Sequence, residues 1–337
     1  MSPKSRGIGC LDAHCDSLIL REVRGEPLTL SNDPAYHVDL RRLRAGDVEA
    51  VIMMVGDSRI HQSLRLIDGV HQLAADRPKD FAVCTSAREV RAANRAGRLA
   101  IVMSVEGQAM FEENLGHVRL WHRLGVRMFS LTHGEGKFPP GRSEPSYALQ
   151  WDAAFFGLIT ERQRATLLRQ SRGLTPFAAQ SVDEVGRLGA IVDLAHCNDR
   201  AFYDVLDRAT GPVCVSHGNC YAQCPHARNL TDDMLKALAK RGGVLGVCFW
   251  GPFVAERPAE ASVERLCDHI VHALEVMGED HVGIGSDFDG VDLRETCVVE
   301  SPAKVPDIWR TLEARGVGVG VIRKIAKDNF LRLLPDR

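Results

Sequence analysis

Short apolar runs alternate with longer amphipathic stretches along the chain. Most runs are rich in Val, Ile and Leu and lack a strict apolar–polar alternation, which is typical of strands buried on both faces. They lie at residues 8–11, 48–55, 99–105, 125–131, 190–195, 212–215, 243–249 and 281–285. Apolar residues at helical spacing predict helices over 60–75, 161–172, 199–209, 231–241 and 263–277, and a last helix over 321–334.

The number and order of these elements indicate a fold class. Strand-like runs that alternate with helices predict a parallel α/β protein, and eight parallel strands are the number that closes a barrel. We therefore expect a (β/α)8 TIM barrel that forms one domain over residues 1–337. An open, doubly wound parallel sheet is the alternative.

Composition and charge exclude several classes of protein. The 337 residues are 45% apolar and 26% charged, as in a soluble globular protein. The 42 Lys and Arg nearly balance the 44 Asp and Glu, which argues against a nucleic-acid-binding surface. Residues 243–255 are too short for a membrane span, and no apolar signal segment follows the N-terminus. We expect no membrane partner, a cytoplasmic location and ten reduced, mostly buried cysteines.

Side chains that commonly bind metals follow six of the eight predicted strands. A barrel places functional residues at the C-terminal ends of its strands. A histidine there is more often a structural residue, and an aspartate can simply cap a helix; the repetition on one face favours a shared site. His14 and Asp16 are two apart on a strand, so we expect both side chains on the same side. The residues are His14, Asp16, Glu106, His133, His196, His217 and Asp287.

The chemistry of this set points to a metal centre. Imidazole and carboxylate ligands suit Zn²⁺, with Mn²⁺, Co²⁺ and Fe²⁺ as alternatives. Five ligands exceed one closed tetrahedral site and fit two ions, with Glu106 as the best candidate for a bridge. The chain has only eight lysines, and Lys137 alone lies near a predicted strand end. A carbamylated lysine bridge and Schiff-base chemistry are therefore disfavoured.

Cysteines near His217 form a weaker pattern. Cys214, Cys220, Cys224 and His226 cluster in the sequence and suggest a separate zinc site. Their spacing lacks a Cys-x₂-Cys pair, so we favour buried structural cysteines.

At these residues the chain resembles the membrane (renal) dipeptidases, the M19 metallopeptidases of the amidohydrolase superfamily. The matching motifs include DAHCDSL at 12–18 and GIGSDFDG at 283–290, and they occur in the order found in the family. A C-terminal NFLR at 329–332 resembles the last helix of the family. The other matching segments are 104–107, 131–133, 173–177, 192–196, 215–217 and 228–230.

The resemblance implies two zinc ions per chain and a dipeptide as substrate. His14 and Asp16 would bind one ion, His196 and His217 the other, and Glu106 would bridge them. The two cations would lower the pKa of a bridging water, and the resulting hydroxide would attack the peptide carbon. The implied enzyme is a metallo-dipeptidase.

Four further residues receive roles by the same resemblance. His133 would contact the substrate and, with one zinc, stabilise the oxyanion. Asp287 would pass a proton to the leaving amine. Arg228 would bind the substrate's terminal carboxylate. Phe253 stands where the family has a tyrosine that helps to hold the substrate.

The segment 134–172 is longer than the resemblance leads us to expect, and we predict an insertion after the fourth strand. It is either a surface helix pair or an element of a lid or of a homodimer interface.

Two alternatives to a dipeptidase stay open. One is a related amidohydrolase that cleaves another carboxylate-bearing amide, such as an N-acyl amino acid or a lactam. The other is a non-catalytic binding protein, against which the intact ligand set argues.

Overall fold

The computed structural model describes residues 7–56, 60–133, 158–170, 173–290 and 297–336. Within these ranges the strands are β1 Cys10–Cys15, β2 Val48–Met54, β3 Phe81–Val83, β4 Leu99–Glu106, β5 Val126–Ser130, β6 Ile191–Asp193, β7 Val213–Gly218, β8 Val244–Val247 and β9 Val282–Ile284. The helices are α1 Ser17–Arg24, α2 Leu40–Ala45, α3 Ile60–Asp76, α4 Ala87–Arg95, α5 Leu115–Arg123, α6 Glu161–Gln170, α7 Pro176–Arg187, α8 Asp199–Arg208, α9 Asp232–Lys240, α10 Gly251–Val254, α11 Val263–Met277, α12 Val305–Ala314, α13 Val319–Arg323 and α14 Asn329–Leu331.

The strands close into a parallel barrel. Neighbouring strands follow the order β2-β1-β9-β8-β7-β6-β5-β4-β3, and β2 also pairs with β4. This extra pairing closes a ring of eight strands from which only β3 is left out. The predicted (β/α)8 barrel is therefore confirmed, and the open doubly wound sheet is excluded.

Strand β3 is an element that the sequence pattern did not predict. It pairs with the first residues of β4, from Leu99 to Ile101, whereas β5 pairs with β4 from Met103 onward. Strands β6 and β9 also have three residues but are buried throughout, whereas Ala82 and Val83 of β3 are only half-buried, so β3 lacks the buried apolar run that marked the other strands.

The predicted helices are present with small shifts at their ends. Helix α11 has the predicted bounds, and α3, α8 and α9 differ by a few residues. Helix α9 begins after Thr231, whose hydroxyl accepts a hydrogen bond from the Met234 amide. The predicted last helix is interrupted, because a π-helical segment Lys324–Asp328 separates α13 from α14.

The barrel strands carry buried side chains on both faces. All eight residues of β4 are buried. Ile101 and Met103 belong to the large apolar cluster that joins the strands to the helices. Ala100 and Val102 belong to a second cluster with residues of α4 and the C-terminal turn. Burial on both faces explains why the strand sequences lack alternation.

The predicted insertion is described only in part. Helix α6 confirms the helix that was predicted at the C-terminal end of the insertion. Residues 134–157 and 171–172, including the segment 151–157, lie outside the described residues. In the described part of the chain no helix combines the length and the apolar character that a membrane span requires.

Candidate metal centre

The candidate site lies at the C-terminal ends of the barrel strands. His14 and His217 lie within β1 and β7, and Glu106 is the last residue of β4. His133 and His196 each follow a strand by three residues. A parallel barrel directs all of these strand ends to one face, as the sequence pattern predicts.

Glu106 lies at the centre of the cluster. Its Oε1 is 3.1 Å from His196 Nε2 and 3.8 Å from His217 Nε2. Its Oε2 is 3.7 Å from both His14 Nε2 and His133 Nε2. Each carboxylate oxygen therefore faces a different pair of imidazoles, which is the arrangement expected of a bridge between two cations.

Two more carboxylates complete the cluster. His14 Nε2 lies 3.3 Å from Asp16 Oδ2 and 3.9 Å from Asp287 Oδ1. The sequence analysis placed Asp16 on the same strand as His14, and this prediction is wrong. Asp16 follows β1 and is the residue that precedes α1, with φ −105° and ψ 7°. The turn from β1 into α1, rather than strand alternation, brings Asp16 beside His14.

Three groups of side chains offer ligand atoms that lie within 4.8 Å of one another. They are His14, Asp16 and Glu106; His14, His217 and Asp287; and Glu106, His133 and His196. All five predicted metal ligands belong to at least one group, and so do His133 and Asp287, for which the resemblance implies other roles.

Burial and neighbouring charges set the protonation of these groups. Burial lowers the pKa of His196 to about 3, and it holds the pKa of His217 well below its ordinary value. Despite the burial of His14, the neighbouring Asp16 and Glu106 hold its pKa well above the ordinary value. Burial alone would raise the pKa of Glu106, but the surrounding imidazoles, His133 and His14 foremost, keep that pKa well below its usual range. Neutral imidazoles beside an ionised carboxylate are the forms that bind a cation.

The residues fit a metal. Asp16, Glu106 and Asp287 are carboxylates collected in one buried site, and their mutual repulsion disfavours the cluster unless a cation neutralises it. His14 Nδ1 and Asp16 Oδ1 are buried without a hydrogen-bond partner among the described residues. The donor set of imidazoles and carboxylates suits zinc and similar divalent ions.

A buried carboxylate orients the imidazole of His217. Asp193 Oδ2 accepts the Ser216 hydroxyl at 2.6 Å, and its Oδ1 accepts the Ser216 amide at 2.8 Å. Ser216 Oγ is also 2.9 Å from His217 Nδ1. Because the hydroxyl proton is used on Asp193, Ser216 accepts from Nδ1–H, which leaves the Nε2 lone pair for a cation.

A second aspartate–serine pair makes the same two hydrogen bonds between β1 and the residues that follow β9. Asp12 Oδ2 accepts the Ser286 hydroxyl at 2.6 Å, and its Oδ1 accepts the Ser286 amide at 2.8 Å. Ser286 directly precedes Asp287, as Ser216 precedes His217. The sequence analysis missed both Asp–Ser pairs. Their signal in the sequence is that Asp12 and Asp193 lie two or three residues before a candidate histidine, and that each serine directly precedes another site residue.

Strained backbone positions also mark the site. His196 has φ 65° and Asp287 has φ 61°. The left-handed region is uncommon for residues other than glycine, and aspartate and histidine are among those that tolerate it best. Gly290, another residue that the sequence analysis missed, has no room for a Cβ, which would overlap the carboxylates of Asp16 and Asp287.

Arg228 and Phe253 lie together beside this cluster. The Arg228 guanidinium is buried, and its carbon is 5.4 Å from the centre of the Phe253 ring. Arg228 Nε and one terminal nitrogen have no hydrogen-bond partner among the described residues. The Phe253 ring packs 4.7 Å from His226 and 4.6 Å from Trp250. The site thus holds a cation with donors available to an anionic ligand.

The separate zinc site suggested by the cysteines does not form. Cys214 Sγ lies near Asp193, Cys220 Sγ contacts the His269 carbonyl, and Cys224 Sγ contacts the Pro252 carbonyl. These thiols face different partners. Among the described residues, the groups able to hold a metal all lie in the central cluster.

Comparisons with known proteins identify relatives. The sequence model of the family described as "Membrane dipeptidase (Peptidase family M19)" matches residues 6–336. Dipeptidase tcpJ of Claviceps purpurea (strain 20.1) is 31% identical over 322 residues, which cover 90% of this chain and 70% of that protein. Dipeptidase ataJ of Aspergillus terreus (strain NIH 2624 / FGSC A1156) is 30% identical over 346 residues, which cover 96% and 83%.

A solved structure shares the fold. It is a metallopeptidase from Rhodobacter sphaeroides, crystallised with a phosphinate mimic of the dipeptide L-Ala-D-Ala. Its TM-score with this chain is 0.79 at 24% sequence identity, and the match covers 97% of this chain and 99% of that one.

Proposed function

Because the chain belongs to the membrane dipeptidase family, peptidase family M19, we propose that its histidine and carboxylate cluster holds two zinc ions for the hydrolysis of dipeptides. The family makes the protein a metal-dependent dipeptidase. The observation that carries the two-ion proposal is Glu106, whose two oxygens face different pairs of imidazoles.

The ligands divide into two sets around this bridge. His14 and Asp16 would hold one ion; His196 and His217, whose Nε2 atoms lie 2.8 Å apart, would hold the other, with Glu106 shared. When bound, two such cations supply a water of lowered pKa and a Lewis acid for the scissile carbonyl. The remaining chemistry falls to side chains of the chain itself.

Asp287 is the proposed proton carrier. Burial and the neighbouring Asp16 hold the pKa of its carboxyl well above the ordinary value, so this carboxyl can take up a proton. It would accept a proton from the attacking water and deliver it to the departing amine.

His133 is the proposed donor to the oxyanion. Its side chain is 33% exposed, so a substrate can reach its imidazole. A donor of this kind at the developing oxyanion contributes about 3–4 kcal/mol.

Arg228 is the proposed receptor for the substrate's terminal carboxylate. Its buried guanidinium over Phe253 has donors without a protein partner in the described chain. The dipeptide mimic bound by the Rhodobacter sphaeroides metallopeptidase ends in D-Ala, which supports testing substrates whose second residue has either stereochemistry.

The test combines metal analysis with a substrate panel. Zinc-loaded protein should contain about two zinc ions per chain, because the ligands divide into two sets. It should hydrolyse dipeptides with a free carboxylate faster than N-acyl amino acids or lactams. A stoichiometry of one ion contradicts the dinuclear proposal, and a preference for N-acyl amino acids would establish the alternative amidohydrolase.

We propose further that residues 1–337 form one catalytic domain in which 134–172 is an insertion. The contacts of α6 with the barrel loops, described next, support this organisation. We also propose a cytoplasmic location. All ten cysteines are free and buried, which agrees with a reducing compartment.

A further inference from the structure

The described part of the predicted insertion packs against the loop that carries Arg228. The Ile159 amide donates to the Pro225 carbonyl at 2.8 Å, and the Tyr221 hydroxyl donates to the Ile159 carbonyl at 2.7 Å. Leu158 forms an isolated antiparallel bridge with His226. These contacts attach residues 158–159, which directly precede α6, to residues 221–226.

Arg164 of α6 makes the strongest connection. Its side chain is buried, and its Nε and one terminal nitrogen donate to the two Asp199 oxygens at 2.9 and 2.8 Å. The other terminal nitrogen donates to the Asn229 carbonyl at 2.7 Å. The guanidinium carbon is 4.9 Å from the centre of the Tyr221 ring. A bidentate ion pair in a buried setting fixes geometry more firmly than a surface pair does.

The two partners of Arg164 belong to the two halves of the site. Asp199 begins α8, three residues after the candidate ligand His196. Asn229 directly follows Arg228, and its side-chain amide donates to the Cys224 and Phe253 carbonyls at 2.8 and 2.9 Å. Arg164 therefore links the loop beside the metal ligands to the loop that carries Arg228.

We propose that Arg164 is a positioning residue that holds Arg228 where it can bind the terminal carboxylate of the substrate. This inference rests on the proposed role of Arg228. Helix α6 would then determine how strongly the enzyme prefers a free dipeptide to a dipeptide amide, which lacks that carboxylate. A displaced Arg228 would bind the carboxylate less tightly in the ground state and the transition state alike, and such a loss raises KM while kcat stays nearly unchanged.

The test compares Arg164→Gln and Arg164→Lys with Arg162→Gln, an exposed change on the same helix. Lysine preserves the positive charge beside Asp199. It lacks the planar guanidinium that donates to Asp199 and to the Asn229 carbonyl at the same time. The steady-state constants kcat and KM would be measured for a dipeptide and for its C-terminal amide, with thermal stability and metal content recorded for each variant.

We expect Arg164→Gln to raise KM for the free dipeptide roughly tenfold or more, with kcat and the amide reaction nearly unchanged. Arg164→Lys should give a smaller rise, and Arg162→Gln should match the wild type. Equal losses of kcat on both substrates would show a merely structural role and overturn the inference. If Arg164→Gln fails to fold, the test falls to Arg164→Lys, and an unchanged preference of that variant for the free dipeptide over its amide would overturn the inference as well.

Arg228→Met separates this inference from the proposed function. If it removes the preference for the free carboxylate while Arg164→Gln does not, the role of Arg228 stands and that of Arg164 is overturned. If Arg228→Met leaves the preference intact, the carboxylate role is wrong, and the inference about Arg164 falls with it.

Discussion

At the scale of single residues, the site depends on where each charge is held. Glu106 is kept ionised by the imidazoles around it, while Asp287 is pushed toward its protonated form by burial and Asp16. Two carboxyls in one pocket thereby differ in protonation, which agrees with the different roles proposed for them. An ionised group suits cation binding, and a group that readily takes up a proton suits general acid–base catalysis.

Asp287→Asn tests the proton-carrying role. Asparagine tolerates the left-handed backbone at this position, so the fold and most of the metal affinity should survive. Because the amide cannot carry the proton, kcat should fall roughly 10²- to 10⁴-fold. Steady-state kinetics and zinc analysis would measure both effects, and Asp183→Asn, an exposed change elsewhere, is the control. A variant that retains most of its turnover would contradict the assignment.

Residue types near strand ends were sufficient to predict much of the candidate site. His14, Glu106 and His217 lie near the C-terminal strand ends, although the pattern placed them just after the strands and the structure has them within β1, β4 and β7. The positions of Ser216 and Ser286 depend on hydrogen bonds to an adjacent strand far away in sequence, and a local pattern carries no such information.

At the scale of elements, the helices are fastened to one another by charged side chains as well as by apolar contacts. Glu184 on α7 accepts from Arg119 of α5 at 3.0 Å and from Arg187 at 2.7 Å. The hydrogen bond from Arg187, followed by that from Arg119, lowers the pKa of Glu184 to about 2. The Glu184 carboxylate therefore joins two outer helices of the barrel.

Glu184→Gln should lower stability in a pH-dependent way. The folded-state pKa lies below the unfolded value, so the stabilisation is present above about pH 4.3 and is lost as the pH falls toward 2. The loss near pH 6 should be at most about 1 kcal/mol, because both arginines are largely exposed to solvent. Urea unfolding across this pH range would measure the effect, and a difference from wild type that does not shrink toward low pH would count against it.

The sequence could not predict how helix α6 docks. Its helical spacing was visible, but the partners of Arg164 lie 35 and 65 positions away. Strand β3 was missed because it is short and only its first residue is fully buried, so its local apolar pattern is weak. Periodicity therefore does not reveal long-range partners or a short strand that is only partly buried.

At the scale of the whole molecule, one barrel gathers groups that would repel one another without a cation. Asp16, Glu106 and Asp287 come from three separated parts of the chain. Metal binding to the folded state alone should therefore stabilise the entire domain.

Removing metal with a chelator should lower the Tm. A ligand present at a thousand times its Kd adds about 4 kcal/mol, which corresponds to a shift on the order of 5 °C for a chain of this size. Calorimetry before and after zinc is restored would measure the change. Glu106→Gln, which lacks the carboxylate proposed as the bridge, should show a much smaller zinc-dependent rise. A Tm insensitive to zinc in both proteins would contradict a metal site in this cluster.

The seam that closes the barrel has a consequence for biosynthesis. Strand β9 pairs with β1 at Ile284 and Asp12, and the Ser286 amide reaches Asp12 across 274 positions of the chain. A nascent polypeptide cannot complete this seam until β9 has left the ribosome. The candidate ligand pocket would then be assembled only after β9 has been synthesised, so metal loading would have to follow the synthesis of β9. Premature termination before β9 would yield chains without a complete pocket for the proposed ions.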